Sequence, residues 1–387
     1  MKTFRVAVRA FPPFESAIRK QWDAFESHAG TGLRLEIVPL DLHPLHTALF
    51  DSPSESWDAA FVVTDWIAEA AVSGAFLNLA PFLAKDAPEG YPEGWTSSLL
   101  RFQKVGERVL GLPYHDGPEC LIYRKDLFES AGLGPPETWD DFHRVARLFA
   151  SPSENRYGSV FAAYPDGHNM VYDFCLQLWS RGGELFDEAG HPQLETEAAR
   201  QALRFYREIL RDTSAVHPRC AEFDSVKSGY AFANGEAALM VNWFGFAVMC
   251  ETVPESKVRG KVAVAPVPGG VSLNVYWTLA IPASARRPEI SWQFLRHCAS
   301  PAMDKLLTLE GAIGCRKSTW IDAEVNRRIP FYYEMERLHE SARELPRLPE
   351  WTQIASVIDT LVLSAIGSNR PEAELLAEAQ QRIVSTL

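Results

Sequence analysis

Residues 106–142 read GERVLGLPYHDGPECLIYRKDLFESAGLGPPETWDDF. A segment rich in proline and glycine precedes the apolar run at 120–123, which predicts a strand. A short helix then leads to a Gly/Pro break at 132–136. Beyond the break, Thr138 followed by Asp141 predicts the N-terminal cap of a new helix, because these side chains can satisfy free backbone N–H groups of the first turn. This pattern is typical of a chain that leaves one compact body and enters another.

The N-terminal segment predicts a β-α-β unit. Alternating apolar residues predict strands over 4–8 and 33–38, and apolar residues recur at helical spacing over 15–28 between them. The continuous apolar run at 57–64 predicts a further strand that is buried on both faces. The fold class is therefore α/β, with a mostly parallel sheet and helices on its faces.

Residues that directly follow these predicted strands are candidates for a ligand cleft. Ligands of open α/β sheets bind at the carboxyl ends of the strands. This rule selects Phe11, Asp41, His43, Asp65 and Trp66. Each of these side chains could equally cap a helix or fill a core, so position alone leaves both interpretations open.

The composition is that of a folded protein with an acidic surface. The chain has 387 residues, 47% of them hydrophobic, and 38 basic against 50 acidic residues give a net charge of −12. This length suffices for two or three domains. The negative charge argues against nucleic acid as a partner, since phosphate backbones attract basic surfaces. The six cysteines form no CxxC pair, which indicates neither a disulfide framework nor a metal site.

Taken as a unit, the 106–142 segment resembles the first interlobe crossing of the extracellular solute-binding proteins of sugar-importing ABC transporters. Further matching segments lie at 74–83, where Asn78 replaces the usual Asp in a stretch that packs the first lobe, and at 231–243. The resemblance extends from Phe4 to about Ile383. It implies a two-lobe periplasmic-binding-protein-like α/β fold with three interlobe hinge crossings and a helical C-terminal extension.

The resemblance also implies discontinuous lobes. Crossings are expected near Tyr114, Val264 and Ile313. Lobe 1 would then contain residues 1–113 plus 265–313, and lobe 2 residues 114–264 plus 314–387. The C-terminal helix is expected to pack on lobe 2.

The implied site is an interlobe cleft for a carbohydrate or a carbohydrate-like small molecule. Sugars have apolar C–H faces and a rim of hydroxyls, so their sites combine aromatic rings with polar side chains. Arg316 could bind the ligand through its guanidinium, or it could instead pair with an acidic residue across the hinge. In the segment before Trp243, Asn242 is placed to bind a hydroxyl. The candidate ligand-binding residues are Asp65, Trp66, Tyr114, His115, Asp116, Tyr172, Trp243, Trp277 and Arg316.

The resemblance implies the substrate-binding component of an ABC importer, a monomer that closes over its ligand and presents it to a membrane permease. We expect no catalytic residue, cofactor or metal, since hydrolase, phosphate-loop and zinc-protease motifs are absent. A glycan-acting enzyme remains an alternative, because glycosidase carboxylates need only spatial proximity. We expect a periplasmic or cell-surface location. Residues 1–10 contain no signal peptide, however, so removal of a leader and a cytoplasmic sensor both stay open.

Overall fold

A computed structural model describes residues 2–51 and 56–387. Met1 and residues 52–55, which belong to the predicted lobe 1, lie outside the described residues. The chain divides into two compact units. Unit 1 comprises Met1–Gly117, Val275–Glu336 and Glu344–Pro349, and unit 2 comprises Pro118–Asn274, Arg337–Arg343 and Glu350–Leu387.

The strands and helices are numbered in chain order. The strands are β1 Thr3–Arg9, β2 Arg34–Leu40, β3 Ala59–Val63, β4 Lys104–Val105, β5 Arg108–Val109, β6 Leu112–His115, β7 Glu119–Arg124, β8 Tyr157–Ser159, β9 Ala237–Trp243, β10 Val262–Ala265, β11 Ser272–Leu273, β12 Trp277–Ala280 and β13 Ala342–Arg343. The helices are α1 Pro12–Ala29, α2 Leu42–Phe50, α3 Ile67–Ser73, α4 Ala80–Asp86, α5 Ser97–Phe102, α6 Lys125–Ala131, α7 Trp139–Phe149, α8 Asn169–Trp179, α9 Glu197–Arg211, α10 Ser225–Ala233, α11 Phe244–Thr252, α12 Pro288–Cys298, α13 Pro301–Leu309, α14 Lys317–Trp320, α15 Ala323–Arg328, α16 Met335–Glu340, α17 Trp351–Gly367 and α18 Glu372–Val384.

Unit 1 is built on a five-stranded sheet in the order β2-β1-β3-β12-β6. The strands β1, β2 and β3 are mutually parallel, as predicted from the β-α-β pattern. The strand β12 runs antiparallel to both β3 and β6. The buried strand β3 carries Phe61, and the apolar face of α1 packs Phe14 against it with a ring-centroid distance of 5.0 Å.

Unit 2 is built on a four-stranded sheet in the order β10-β7-β9-β8. The central strands β7 and β9 are antiparallel, and Glu119 lies opposite Trp243 in their register. The helix α8 is buried along its whole length. The C-terminal helices α17 and α18 pack on α9, so they belong to unit 2.

Two local predictions are confirmed in unit 2. Thr138 caps α7, because its side chain accepts a hydrogen bond from the N–H of Asp141. Helical spacing of apolar residues predicts a helix over 197–211 that buries Ala198, Ala202, Phe205 and Ile209. The helix α9 has these bounds and buries the last three, whereas Ala198 is half-buried.

The boundaries of the units differ from the predicted lobe boundaries. The largest difference concerns residues 314–336, which were expected in lobe 2 but belong to unit 1. The reason is the buried carboxylate of Asp304 in α13, which accepts hydrogen bonds from the N–H of Cys315 and the hydroxyl of Thr319. The second boundary falls after Asn274 because β11 pairs with β13 inside unit 2.

The cysteines are core residues. All six are buried with free thiols. Burial raises the pKa of Cys120, and the neighbouring Glu119 raises it further. In the described part of the chain, no helix combines the length and the apolar character needed to cross a membrane.

Candidate functional site

Four chain segments of unit 1 meet at one edge of its sheet. The parallel strands β1 and β3 end there, and the antiparallel strand β12 begins there. Trp277 at the start of β12 lies opposite Val63 on one side and His115 on the other. The pairing of β12 with β6 is irregular directly after Trp277, and such bulges often re-aim side chains next to a site. This geometry brings Trp66, Trp277 and His115 to a common edge.

Trp66 and Trp277 form an aromatic pair at this edge. Their ring centroids are 6.1 Å apart, and the planes are nearly perpendicular at 86°. Trp66 is buried and also contacts the rings of His46 and Phe50. Trp277 is half-buried, and so is Asp65 beside Trp66. Trp277 is therefore the member of the pair that retains an accessible face.

His115 is a neutral hydrogen-bonding group at this edge. Burial lowers its pKa to about 4, although the nearby charge of Asp116 acts in the opposite direction. The ring atom Nδ1 accepts a hydrogen bond from the N–H of Ile313 over 2.9 Å. The proton of the neutral ring must then lie on Nε2, which makes Nε2–H a donor. Asp116 is buried, and its backbone N–H is bonded to the carbonyl of Ile313.

Two candidates of unit 1 are engaged in its core. The Tyr114 hydroxyl is buried and donates to Gln21 Oε1 over 2.8 Å. The guanidinium of Arg316 donates to the carbonyls of Ala299 and Glu89, each over 2.8 Å. It also lies over the Trp95 ring, 4.2 Å from its centroid. Arg316 thus holds the loop around Glu89 within unit 1, in place of the hinge-crossing ion pair weighed from the sequence.

The remaining positional candidates diverge. Phe11 is half-buried and packs edge-on against Phe14. Asp41 is exposed and pairs with Arg9 over 2.8 Å, and His43 is exposed on α2. The structure therefore brings Phe11 towards the edge of the sheet that carries Trp66 and Trp277, whereas Asp41 is paired with Arg9 on the surface.

Tyr172 and Trp243 form the aromatic pair of unit 2. Their ring centroids are 5.7 Å apart with an interplanar angle of 79°. Tyr172 is buried in the first half of α8, and Trp243 is the half-buried last residue of β9. Sequence reasoning placed both at a site, and the structure brings them into contact.

Asn242 differs from its expected role beside Trp243. Successive residues of a strand point to opposite faces, so Asn242 faces away from the Tyr172 contact. Its amide donates to Ser228 Oγ over 3.0 Å, and its side-chain oxygen accepts from the N–H of Trp243 over 2.8 Å. Asn242 therefore fixes the end of β9 against α10 and is not placed to bind a ligand hydroxyl.

Two buried carboxyl groups adjoin the aromatic pair along the chain or in register, since Glu119 lies opposite Trp243 and Asp173 follows Tyr172 in α8. Glu119 is 1% exposed and Asp173 is 5% exposed. Burial raises the pKa of Glu119 well above its ordinary value, and the nearby Asp173 raises it further. Burial also raises the pKa of Asp173 to about 7, against the effect of the hydrogen bond that it accepts from Tyr206 over 2.8 Å. Such perturbed groups are concentrated at functional sites.

A family model described as "bacterial extracellular solute-binding protein" matches residues 12–305. The chain belongs to this family. One relative is a mannitol-binding protein of Pseudomonas aeruginosa, 27% identical over 92% of this chain and 86% of that protein. Another is a probable amino-acid ABC transporter periplasmic-binding protein of Sinorhizobium fredii, 23% identical over 92% of this chain and 83% of that protein.

Solved solute-binding proteins have the same fold as this chain. An ABC transporter solute-binding protein from Agrobacterium radiobacter in complex with ribitol superposes with a TM-score of 0.90 and 25% identity, over 100% of this chain and 99% of that one. Maltose-bound MalE3 of T. maritima also gives a TM-score of 0.90, at 22% identity and 100% coverage of both chains. The fold class is thereby that of the two-lobe solute-binding proteins.

The loop before α8 contributes further polar groups to this solute-binding protein. His168 lies edge-on to Tyr172 at 5.8 Å, and its Nδ1 donates to the carbonyl of Asp166. The N–H of Gly167 donates over 2.6 Å to Asp359 of α17. Burial raises the pKa of Asp359 to about 6. The helix α17 thus fixes the loop that precedes Tyr172.

Sequence reasoning missed Glu119, Asp173 and His168. A signal was present for the first two, because Asp173 interrupts the apolar run at 170–179 and Glu119 directly precedes the apolar run at 120–123. An acid in such a position is costly to bury and therefore needs a reason. His168 carried no comparable signal in its polar loop.

Proposed function

We propose that this protein is the substrate-binding component of an ABC importer and that it binds a sugar or a polyol. The observation that carries the proposal is the contact between Tyr172 and Trp243, with the buried carboxyl group of Glu119 opposite Trp243 and that of Asp173 next to Tyr172 in sequence. Aromatic rings match the C–H faces of such a ligand, and carboxyl groups match its hydroxyls. Membership in the solute-binding family and the mannitol- and ribitol-binding relatives support the same ligand class.

The candidate ligand contacts are proposed in two groups. Unit 1 contributes Asp65, Trp66, His115, Asp116 and Trp277, whereas unit 2 contributes Tyr172 and Trp243. Tyr114 and Arg316 are assigned to support of unit 1, since their polar groups bind the protein itself. As the resemblance implies, the ligand is held by hinge closure and then released to a membrane permease.

Membership in the family supports a proposal about the biological setting. We propose a periplasmic or cell-surface location, a monomeric state and binding without turnover. This proposal differs from a glycan-acting enzyme in one testable respect, because an enzyme would convert the bound compound.

A ligand screen tests this proposal. Isothermal titration calorimetry with D-mannitol, ribitol, maltose and a set of hexoses should identify at least one ligand that binds with a defined stoichiometry. Mass spectrometry of the ligand recovered after long incubation should return it unchanged. Absence of binding across the panel would refute the proposed ligand class, and conversion of the ligand would favour the enzyme.

A further inference from the structure

Glu119 is a buried acid that lacks a complete set of partners within its unit. Its atom Oε2 is fully buried and has no hydrogen-bond partner among the residues that the structure describes. Its backbone carbonyl, in contrast, accepts a hydrogen bond from the hydroxyl of Ser272. A buried carboxyl with an unpaired oxygen is unfavourable for folding. Glu119 therefore differs from Asp304, another buried acid, whose two carboxylate oxygens accept three hydrogen bonds.

The side chain of Glu119 faces the aromatic pair. Glu119 lies directly opposite Trp243 in the antiparallel pairing of β7 with β9, so the two side chains project from the same face of the sheet. Trp243 contacts Tyr172 on that face. The electrostatic effects of Asp173 on Glu119 and of Glu119 on Cys175 place the carboxyl beside α8, the helix that carries Tyr172.

The groups around Glu119 favour its neutral carboxyl. Asp173 and Cys175 of α8 interact with it electrostatically, and Cys120 adjoins it on its own strand. Arg343 of β13 acts on Cys175, and Tyr206 of α9 binds Asp173. Burial and an acidic neighbour both raise the pKa of Glu119 and therefore favour its neutral form. A neutral carboxyl both donates and accepts a hydrogen bond.

We propose that Glu119 is a specificity-determining residue, whose neutral carboxyl hydrogen-bonds a hydroxyl of the polyol or sugar that lies against Trp243 and Tyr172. A hydroxyl also donates and accepts, so it can satisfy both oxygens of the acid. This inference rests on the proposed function and assigns its ligand selectivity to one residue. An ammonium group in the ligand would instead require the ionised carboxylate.

Three variants test the assignment. Glu119→Gln keeps a donor and an acceptor, and its affinity for D-mannitol or ribitol should stay within about threefold of the wild-type value. Glu119→Leu removes both, and its affinity should fall by at least about tenfold. Because Leu also removes an unpaired buried acid, Glu119→Leu should melt at a higher temperature than the wild type. The matched control is Asp304→Asn, which should melt lower but bind normally, because Asp304 is fully bonded inside unit 1.

The pH dependence provides a test that does not depend on the Leu variant. As the pH rises, wild-type affinity should fall when Glu119 loses its proton, whereas the affinity of Glu119→Gln should not depend on this ionisation. Infrared difference spectra should show a protonated-carboxyl band at neutral pH that shifts when the polyol binds. This band should be absent from Glu119→Gln.

The outcomes separate the two proposals. Normal binding by Glu119→Leu would overturn the role of Glu119 and leave the proposed function intact. Equal losses in the Gln and Leu variants, with tighter wild-type binding at higher pH, would show that the ionised carboxylate is used and would also overturn it. If the wild type binds no sugar or polyol, the proposed function fails, and the role of Glu119 fails with it.

Discussion

Trp243 is the residue on which the aromatic half of the proposed site depends. It is half-buried at the end of β9, and its ring contacts Tyr172. We expect Trp243→Ala to weaken polyol binding by about five- to a hundredfold, the equivalent of ~1–3 kcal/mol, because an aromatic contact with the ligand is lost. The melting temperature without ligand should change little. Calorimetric titration and thermal melting measure the two effects.

A core tryptophan serves as the control for Trp243. Trp351 at the start of α17 is buried, and Trp351→Ala should reduce the free energy of unfolding by ~3–5 kcal/mol while leaving the affinity of the folded protein unchanged. If Trp243→Ala instead behaves like Trp351→Ala, Trp243 is a core residue. The stacking role would then pass to Trp66 and Trp277.

His115 predicts a pH dependence of stability. Its folded-state pKa of about 4 lies below that of an unfolded histidine at about 6.5. Between these values the unfolded state binds the additional proton, so His115 lowers stability as the pH falls from about 6.5 to about 4. We expect urea denaturation to show this loss in the wild type and a smaller loss in His115→Gln. Parallel pH profiles for both proteins would contradict the neutral, buried state of His115.

At the scale of elements, the sequence predicted the structure well where a local pattern decides the conformation. The bounds of α9 and the Thr138 cap follow from helical periodicity and from side-chain bonding to the first turn. The apolar run at 159–163 is typical of a strand, but β8 ends at Ser159. The predicted assignment of residues 314–336 to lobe 2 was wrong, because tertiary contacts with Asp304 hold this segment in unit 1.

The candidate site was predictable only in part for the same reason. Trp66 and Trp243 could be proposed because each follows a recognisable strand signal. Glu119 and Asp173 become a pair only through the register of β7 with β9 and the packing of α8, which no local pattern specifies. Arg316 has the residue type expected of a ligand contact, but its carbonyl partners are far away in sequence.

The contact between α7 and β8 predicts a large effect of one methyl group. A Cβ at Gly158 would lie 1.7 Å from the carbonyl oxygen of Ala146, which is backbone and cannot move aside as a side chain can. Gly158→Ala should therefore destabilise unit 2 by at least about 3 kcal/mol. Denaturant unfolding measures the change.

Gly134 offers the matched control for Gly158. No atom lies within 4 Å of a Cβ built at Gly134. Gly134→Ala should therefore change the free energy of unfolding by no more than about 1 kcal/mol. We expect an increase, because alanine restricts the conformations of the unfolded chain more than glycine does. Equal stability of the two variants would refute the close approach of α7 to β8.

At the scale of the whole molecule, each unit has a sheet and a core of its own. Both units are discontinuous in sequence, since unit 1 takes up Val275–Glu336 and unit 2 takes up the last two helices. This arrangement places the ends of several segments at the boundaries between the units. Such chain crossings are where hinge motions are usually absorbed, because few residues need to change their backbone angles.

Hinge closure, which family membership implies, predicts a change in the size of the molecule in solution. A ligand shifts the equilibrium towards the closed state only by its differential affinity for the two states, so contacts made by both units are required. Small-angle scattering of the wild type should give a smaller radius of gyration with saturating polyol than without it. Trp243→Ala, at a polyol concentration too low for this variant to bind, should give the larger radius of gyration. This sample controls for non-specific effects of the polyol. An unchanged radius in a wild-type sample shown by calorimetry to be saturated would mean that the ligand is held without closure.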